Sequence, residues 1–122
     1  MSTLLIKNAN TLVTMDDSRR EIDNGALYAV DGVIQQVGPT DELPVDADTV
    51  LDATDHVVLP GLINTHHHFY QTLTRVVPGA QDVGLFDWLR HLYPIWARLT
   101  PDSVRISTQT ALAELALTGC TT

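Results

Sequence analysis

The sequence predicts an α/β chain in two parts: short strands over residues 1–59, then the first strand and helices of a second domain over residues 60–122. Three observations lead there. The spacing of apolar residues changes at Pro60-Gly61, from short alternating or continuous runs to a helical period. The charge changes at the same place: residues 1–59 hold 11 acidic and 3 basic residues, residues 60–122 hold 4 of each. The apolar run Val57–Ile63 then leads directly into His66-His67-His68.

Taken in order, Leu4–Lys7 and Leu12–Met15 are short strands separated by the punctuation Asn8–Asn10. Ala26–Val30 and Val33–Val37 flank Asp31-Gly32, a hairpin signal because a type I′ turn needs positive φ at both central residues. Gly38–Asp48, with two prolines, is loop. Thr49–Leu51 and His56–Leu59 complete a small antiparallel sheet whose acids form its solvated face. Pro60-Gly61 interrupts the next apolar run, so a new strand, buried on both faces, is expected from Leu62. Leu85, Trp88, Leu89, Leu92 and Trp96 mark an amphipathic helix that Pro94 should kink or end near Tyr93. Thr100-Pro101 starts a second helix of about 18 residues. Val104, Thr108, Ala111, Leu112 and Leu115 line its inner face, and Gly119 stops it. Cys120-Thr121-Thr122 reads as the threshold of a further strand, so the chain is expected to be an N-terminal fragment of a longer protein.

Composition narrows the function classes. Net charge is −8, which disfavours a nucleic-acid partner, since phosphate contacts need clustered Lys and Arg. No run of about 18 apolar residues marks a membrane span. The start MSTLLIKNAN lacks the layout of a secretory signal, and the lone Cys120 fits a reducing, cytoplasmic setting.

The histidines carry the chemistry. In an extended segment residues i and i+2 share a side, so His66 and His68 face together and His67 faces away. Two neutral imidazoles side by side suit a divalent metal, zinc or iron, and leave His67 to pack or hydrogen-bond outside the site. His56, in a polar step, and His91, on the polar side of its helix, read as surface residues.

PGLINTHHH resembles the Pro-Gly-apolar-apolar-(Asp/Asn)-x-His-x-His signature of the amidohydrolase superfamily. His68-Phe69-Tyr70-Gln71 is similar to the His-x-x-Gln spacing of its cytosine, guanine and triazine deaminase branch. LFDWLRHLYPIW resembles that branch's Leu-x-x-Trp-Leu…Ile-Trp helix, and the block from His66 to Pro101 looks most like the 8-oxoguanine deaminases. The resemblance implies part of a small β-sandwich over 1–59, followed by the start of a metal-dependent (β/α)8 TIM barrel over 60–122.

It further implies a hydrolytic deaminase of an aromatic heterocycle, 8-oxoguanine to urate and ammonia foremost, with guanine, cytosine or a hydroxytriazine as alternatives. His66 and His68 would be ligands of one Zn2+, with iron the alternative. Gln71, Trp88 and Tyr70 would contact substrate, with Arg75 near enough to reach the pocket. Trp96 and Phe86 would be core, and Asn64 would tie down the strand end. The catalytic proton-shuttling residues and the other ligands would lie downstream, which makes a stand-alone 122-residue product inactive. The non-enzymatic alternative is an inactive fragment or a binding module. The partner implied is a small purine or related heterocycle, and relatives that dimerise leave a homo-oligomer open.

Overall fold

Strand β1 (Thr3–Val13) organises the first half, and every other strand except β3 pairs with it. The computed structural model describes residues 1–122, in two units, Met1–Pro60 and Gly61–Thr122. In the first, β2 (Glu21–Val30) runs antiparallel to β1, and β3 (Val33–Pro39) antiparallel to β2. The β2–β3 turn is the expected Asp31-Gly32, at φ +49° and +80°. Gly32 suits the second position because it carries no Cβ to clash there.

β1 is one strand, where two were expected. Asn8 does not break it but forms a bulge, with Lys7 and Asn8 facing the single Ala26 between the Ile6–Leu27 and Ala9–Gly25 pairs. Asn tolerates the left-handed region that its φ of +62° requires. Its N–H donates to Thr40 Oγ1 (2.9 Å) and its amide to Asp52 Oδ1 (3.2 Å), so the bulge's polar groups are satisfied.

The sheet is also mixed, not antiparallel throughout. β4 (Thr49–Asp52) and β5 (Val57–Val58) both run parallel to β1, one after the other along the same edge. The long connection over residues 40–48 lets the chain cross back and re-enter in β1's own direction, which a tight hairpin would forbid. Leu5, Ala26 and Leu43 form one core cluster; Ala9, Leu12 and Ala53 form another, with Ile6, Ile22, Leu27, Val37 and Val58 packed on it.

In the second unit, Leu62 to Asn64 lies parallel to residues 120–122. Leu62 N–H donates to Gly119 O (2.8 Å), Thr121 N–H to Leu62 O (2.9 Å) and Asn64 N–H to Thr122 O (2.7 Å). The expected buried strand is therefore short and, in this chain, exposed: Leu62 and Ile63 are 57% and 70% accessible. One extended segment beside it covers an edge, not a face.

Two 3-10 segments follow, Phe69–Thr74 and Pro78–Ala80, then α1 (Leu85–Trp96) and α2 (Pro101–Leu117). Pro94 does not end α1, which continues to Trp96. The Trp96 ring is held edge-on by Trp88 and Tyr70, at centroid distances of 5.3 and 5.5 Å, and its Nε1–H donates to Thr74 Oγ1 (3.0 Å). These contacts hold the last turn despite the missing proline N–H. Phe86, expected in the core, is 79% exposed on α1's outer side.

α2 opens with the expected Thr100-Pro101 and a capping box, Ser103 N–H donating to Thr100 Oγ1 at 3.1 Å. Its inner face matches the expected one at Ala111 but is shifted towards Ser107. Ser107 and Ala111 are its fully buried residues, while Val104 and Leu112 stay 40% and 51% accessible. Small side chains there let the 3-10 segment Phe69–Thr74 approach closely, and Ser107 Oγ donates to Phe69 O at 2.5 Å.

Candidate functional site

The three histidines sit in irregular backbone between the Leu62 bridge and the 3-10 turn, not within a strand. The expected pairing nevertheless holds, although His68 itself is not in extended backbone, at φ −112° and ψ 71°. His66 Nε2 and His68 Nε2 converge to 2.7 Å, with ring centroids 4.7 Å apart. His67 turns away and stacks on Phe69 at 4.4 Å. Asn64 Oδ1 accepts from His66 N–H (3.0 Å), which shapes the entry to the pair.

The 3-10 turn explains what lies on the other side of His68. With three residues per turn, side chains at i and i+3 eclipse. Gln71 is three residues beyond His68, and its N–H donates to His68 O (3.0 Å). Its side-chain amide accordingly lies 3.1 Å from His68 Nδ1 and 3.0 Å from the Tyr70 hydroxyl. Tyr70, Trp96 and Trp88 then form an edge-to-face run leading away from the amide.

Among the residues singled out in the sequence, His66, His68, Gln71 and Tyr70 are thus brought into one connected group. Trp88 stands two rings further on. Arg75 pairs with Glu114 on α2 and borders, with His67, His68, Gln71 and Thr72, a shallow cleft. His56 and His91 do not join: His56 Nδ1 lies 2.7 Å from Thr54 O, and the His91 ring packs on Gly79. Two supporting residues carried no sequence signal. Ser107 looks like any helix serine, and Thr74 like any loop threonine, until the fold places them under Phe69 and Trp96.

The donor set fits a divalent cation. Both rings are exposed, and each Nε2 would bind zinc at about 2.0–2.1 Å, which asks the two nitrogens to open to about 3.3 Å. A small rotation of each ring achieves that. No group of three His, Cys, Asp or Glu side chains assembles in the chain, so the pair would supply two of the three protein ligands a catalytic zinc ordinarily has. No helix is long and apolar enough to cross a membrane.

Known proteins resemble this chain in sequence and in fold. The chain is 50% identical over 99 residues to an 8-oxoguanine deaminase of Pseudomonas aeruginosa, covering 80% of this chain and 22% of that protein. It is 38% identical over 122 residues to a 5'-deoxyadenosine deaminase of Methanosarcina barkeri, covering 99% of this chain and 27% of that one. Its fold superposes with a TM-score of 0.87 on a crystal structure of an atrazine chlorohydrolase from Arthrobacter aurescens complexed with zinc, at 30% identity, over 97% of this chain and 27% of that one. The chain thus spans about a quarter of the length of the proteins it matches. The sequence profile of the Amidohydrolase family matches residues 57–122, the half that carries the histidine pair, and the chain belongs to that family.

Proposed function

We propose that this chain is the N-terminal part of a metal-dependent hydrolytic deaminase acting on an aromatic heterocycle, with 8-oxoguanine as substrate and urate and ammonia as products. The convergence of His66 Nε2 and His68 Nε2 carries the reading. The 50% identity to an 8-oxoguanine deaminase supports the choice of substrate. On this reading residues 60–122 begin a (β/α)8 barrel, supported by the parallel Leu62–Cys120 bridge across α2, and residues 1–59 are part of a β-sandwich.

A zinc ion held by the pair would supply Lewis acidity and bring the pKa of water down towards 7. The chain's own residues do the positioning. His66 and His68 present paired lone pairs, Asn64 orders the backbone before them, and Ser107 anchors the carbonyl just after them. Gln71 and Tyr70 add hydrogen-bonding groups beside the pair, where a purine edge carrying both donors and acceptors would lie. Water attacks the ring carbon that bears the amino group. The amine leaves as ammonia after gaining a proton, transferred by groups outside these residues.

The test is zinc analysis of the complete polypeptide together with an ammonia-release assay. The panel holds 8-oxoguanine, guanine, cytosine, isocytosine, a hydroxytriazine and 5'-deoxyadenosine. Turnover of 8-oxoguanine well above the others is expected. Faster release from guanine or 5'-deoxyadenosine would overturn the substrate and leave the deaminase. Release from none of the six, by a zinc-loaded protein, would overturn the deaminase as well.

A further inference from the structure

The Gln71 amide contacts His68 on the ring nitrogen opposite the one that meets His66. Which end of the amide points there decides what the histidine pair can do. With Nε2 towards the ring, the amide donates to His68 Nδ1 (3.1 Å) and to the Tyr70 hydroxyl (3.0 Å). The His68 proton then sits on Nε2 and bridges to His66 Nε2 at 2.7 Å. A nitrogen carrying that proton has no lone pair for a cation.

The two ends of a carboxamide exchange by a half-turn that leaves the heavy-atom positions almost unchanged. With Oε1 in the same place, both hydrogen bonds reverse. His68 Nδ1–H and the Tyr70 hydroxyl donate to Oε1, and the His68 Nε2 lone pair faces His66. The distances serve equally well, and the lone pairs of the two histidines now converge on one point. The 3-10 turn eclipses Gln71 with His68. Tyr70 is itself fixed edge-on against Trp96, at 79°. The amide is therefore held against His68 from two directions.

We propose that Gln71 is the positioning residue that selects the cation-binding tautomer of His68: its Oε1, steadied by the Tyr70 hydroxyl, accepts from Nδ1–H and leaves Nε2 free as a donor. The inference rests on the metal-pair reading above and deepens it. It also fixes the sense of any substrate contact. With Oε1 engaged by His68 and Tyr70, only the NH2 of Gln71 remains, so its substrate contact is with an acceptor atom.

The experiment measures zinc affinity of the metal-free complete polypeptide by competition with a chelator, alongside KM and kcat. Gln71→Leu removes the acceptor and is expected to weaken zinc binding about 10- to 100-fold, whereas Gln71→Glu, which accepts but cannot donate, stays within about threefold of the parent. Equal zinc affinity for Gln71→Leu and the parent, with only KM raised, would assign Gln71 to substrate contact alone and overturn the proposal. So would a Gln71→Glu variant with zinc affinity reduced as far as in Gln71→Leu. If Gln71→Leu does not fold, the glutamate variant decides the matter, since an amide required as a donor to Nδ1 cannot be replaced by a carboxylate. His68→Ala separates the two levels. Loss of zinc there with no effect of Gln71→Leu defeats this proposal alone, while zinc retained in His68→Ala defeats the metal pair and this proposal with it.

Discussion

The hydroxyl of Ser107, fully buried on α2, donates to the carbonyl of Phe69 at 2.5 Å. Phe69 directly follows His68, so one helix serine anchors the backbone next to the candidate metal pair. Ser107→Ala leaves that carbonyl without its donor. We expect a loss of about 1–2 kcal/mol, read from urea unfolding. Ser107→Val adds bulk where the 3-10 segment lies closest and should also lower zinc affinity, read by chelator competition. Wild-type stability in Ser107→Ala would remove the anchor from this account.

His66→Ala and His68→Ala should each reduce bound zinc from about one ion per complete polypeptide to near none, with loss of ammonia release, because two protein ligands remain where about three are needed. His67→Ala should keep its zinc, since His67 stacks on Phe69 and faces away from the pair. Elemental analysis of the three purified variants checks this, and zinc loss in His67→Ala would show that the alternation does not select the ligands.

Gly25 faces Ala9 at the bulge in β1, where a Cβ would press on Leu12 and lie 2.7 Å from the carbonyl of Ile22. The backbone there cannot yield without disturbing the β1–β2 ladder. Gly25→Ala should therefore destabilise the first unit by about 1–3 kcal/mol, the usual cost of overpacking, seen as an earlier unfolding transition. A Cβ on Gly38 in β3 would meet nothing closer than 3.4 Å, and Gly38→Ala serves as the control.

The Asp52 carboxyl is held below its ordinary value of 3.8, first by the Thr54 hydroxyl (2.7 Å), then by the Thr54 N–H (3.0 Å) and the Asn8 amide (3.2 Å). A carboxylate with a depressed pKa stabilises the fold above its unfolded value, and that contribution disappears as pH falls through the depressed one. Thr54→Val removes the largest cause. It should raise the Asp52 midpoint in an NMR titration and shift acid unfolding slightly upwards in pH. An unchanged midpoint would mean that the hydroxyl does not set it.

Much of the fold could be read locally. The Asp31-Gly32 turn, the Thr100-Pro101 start of α2 and the Gly119 stop follow from φ requirements and capping, which act over a few residues. The pairing of His66 with His68 was legible from the i, i+2 spacing, and the two rings do converge although no strand holds them. Membership of the family could be read from the same nine-residue stretch, PGLINTHHH.

What depended on distant partners could not. Asn8 looked like punctuation until Thr40 and Asp52 satisfied its polar groups inside β1. The direction of β4 and β5 follows from a crossover whose path no local pattern records. On the inner face of α2, Ala111 was legible from the helical period, but Ser107 was buried because the 3-10 segment needed room, a demand made by another element and invisible in α2's own period. Helix α1 passed Pro94 because Tyr70 and Thr74 hold Trp96 from outside the helix, with Trp88 packing on it from within. Local chain chemistry sets turns, caps and side-chain alternation. Which strands adjoin, which helix face is buried and what anchors the backbone after His68 are set by contacts between residues tens of positions apart, such as Ser107 with Phe69, and only the assembled structure brings those together.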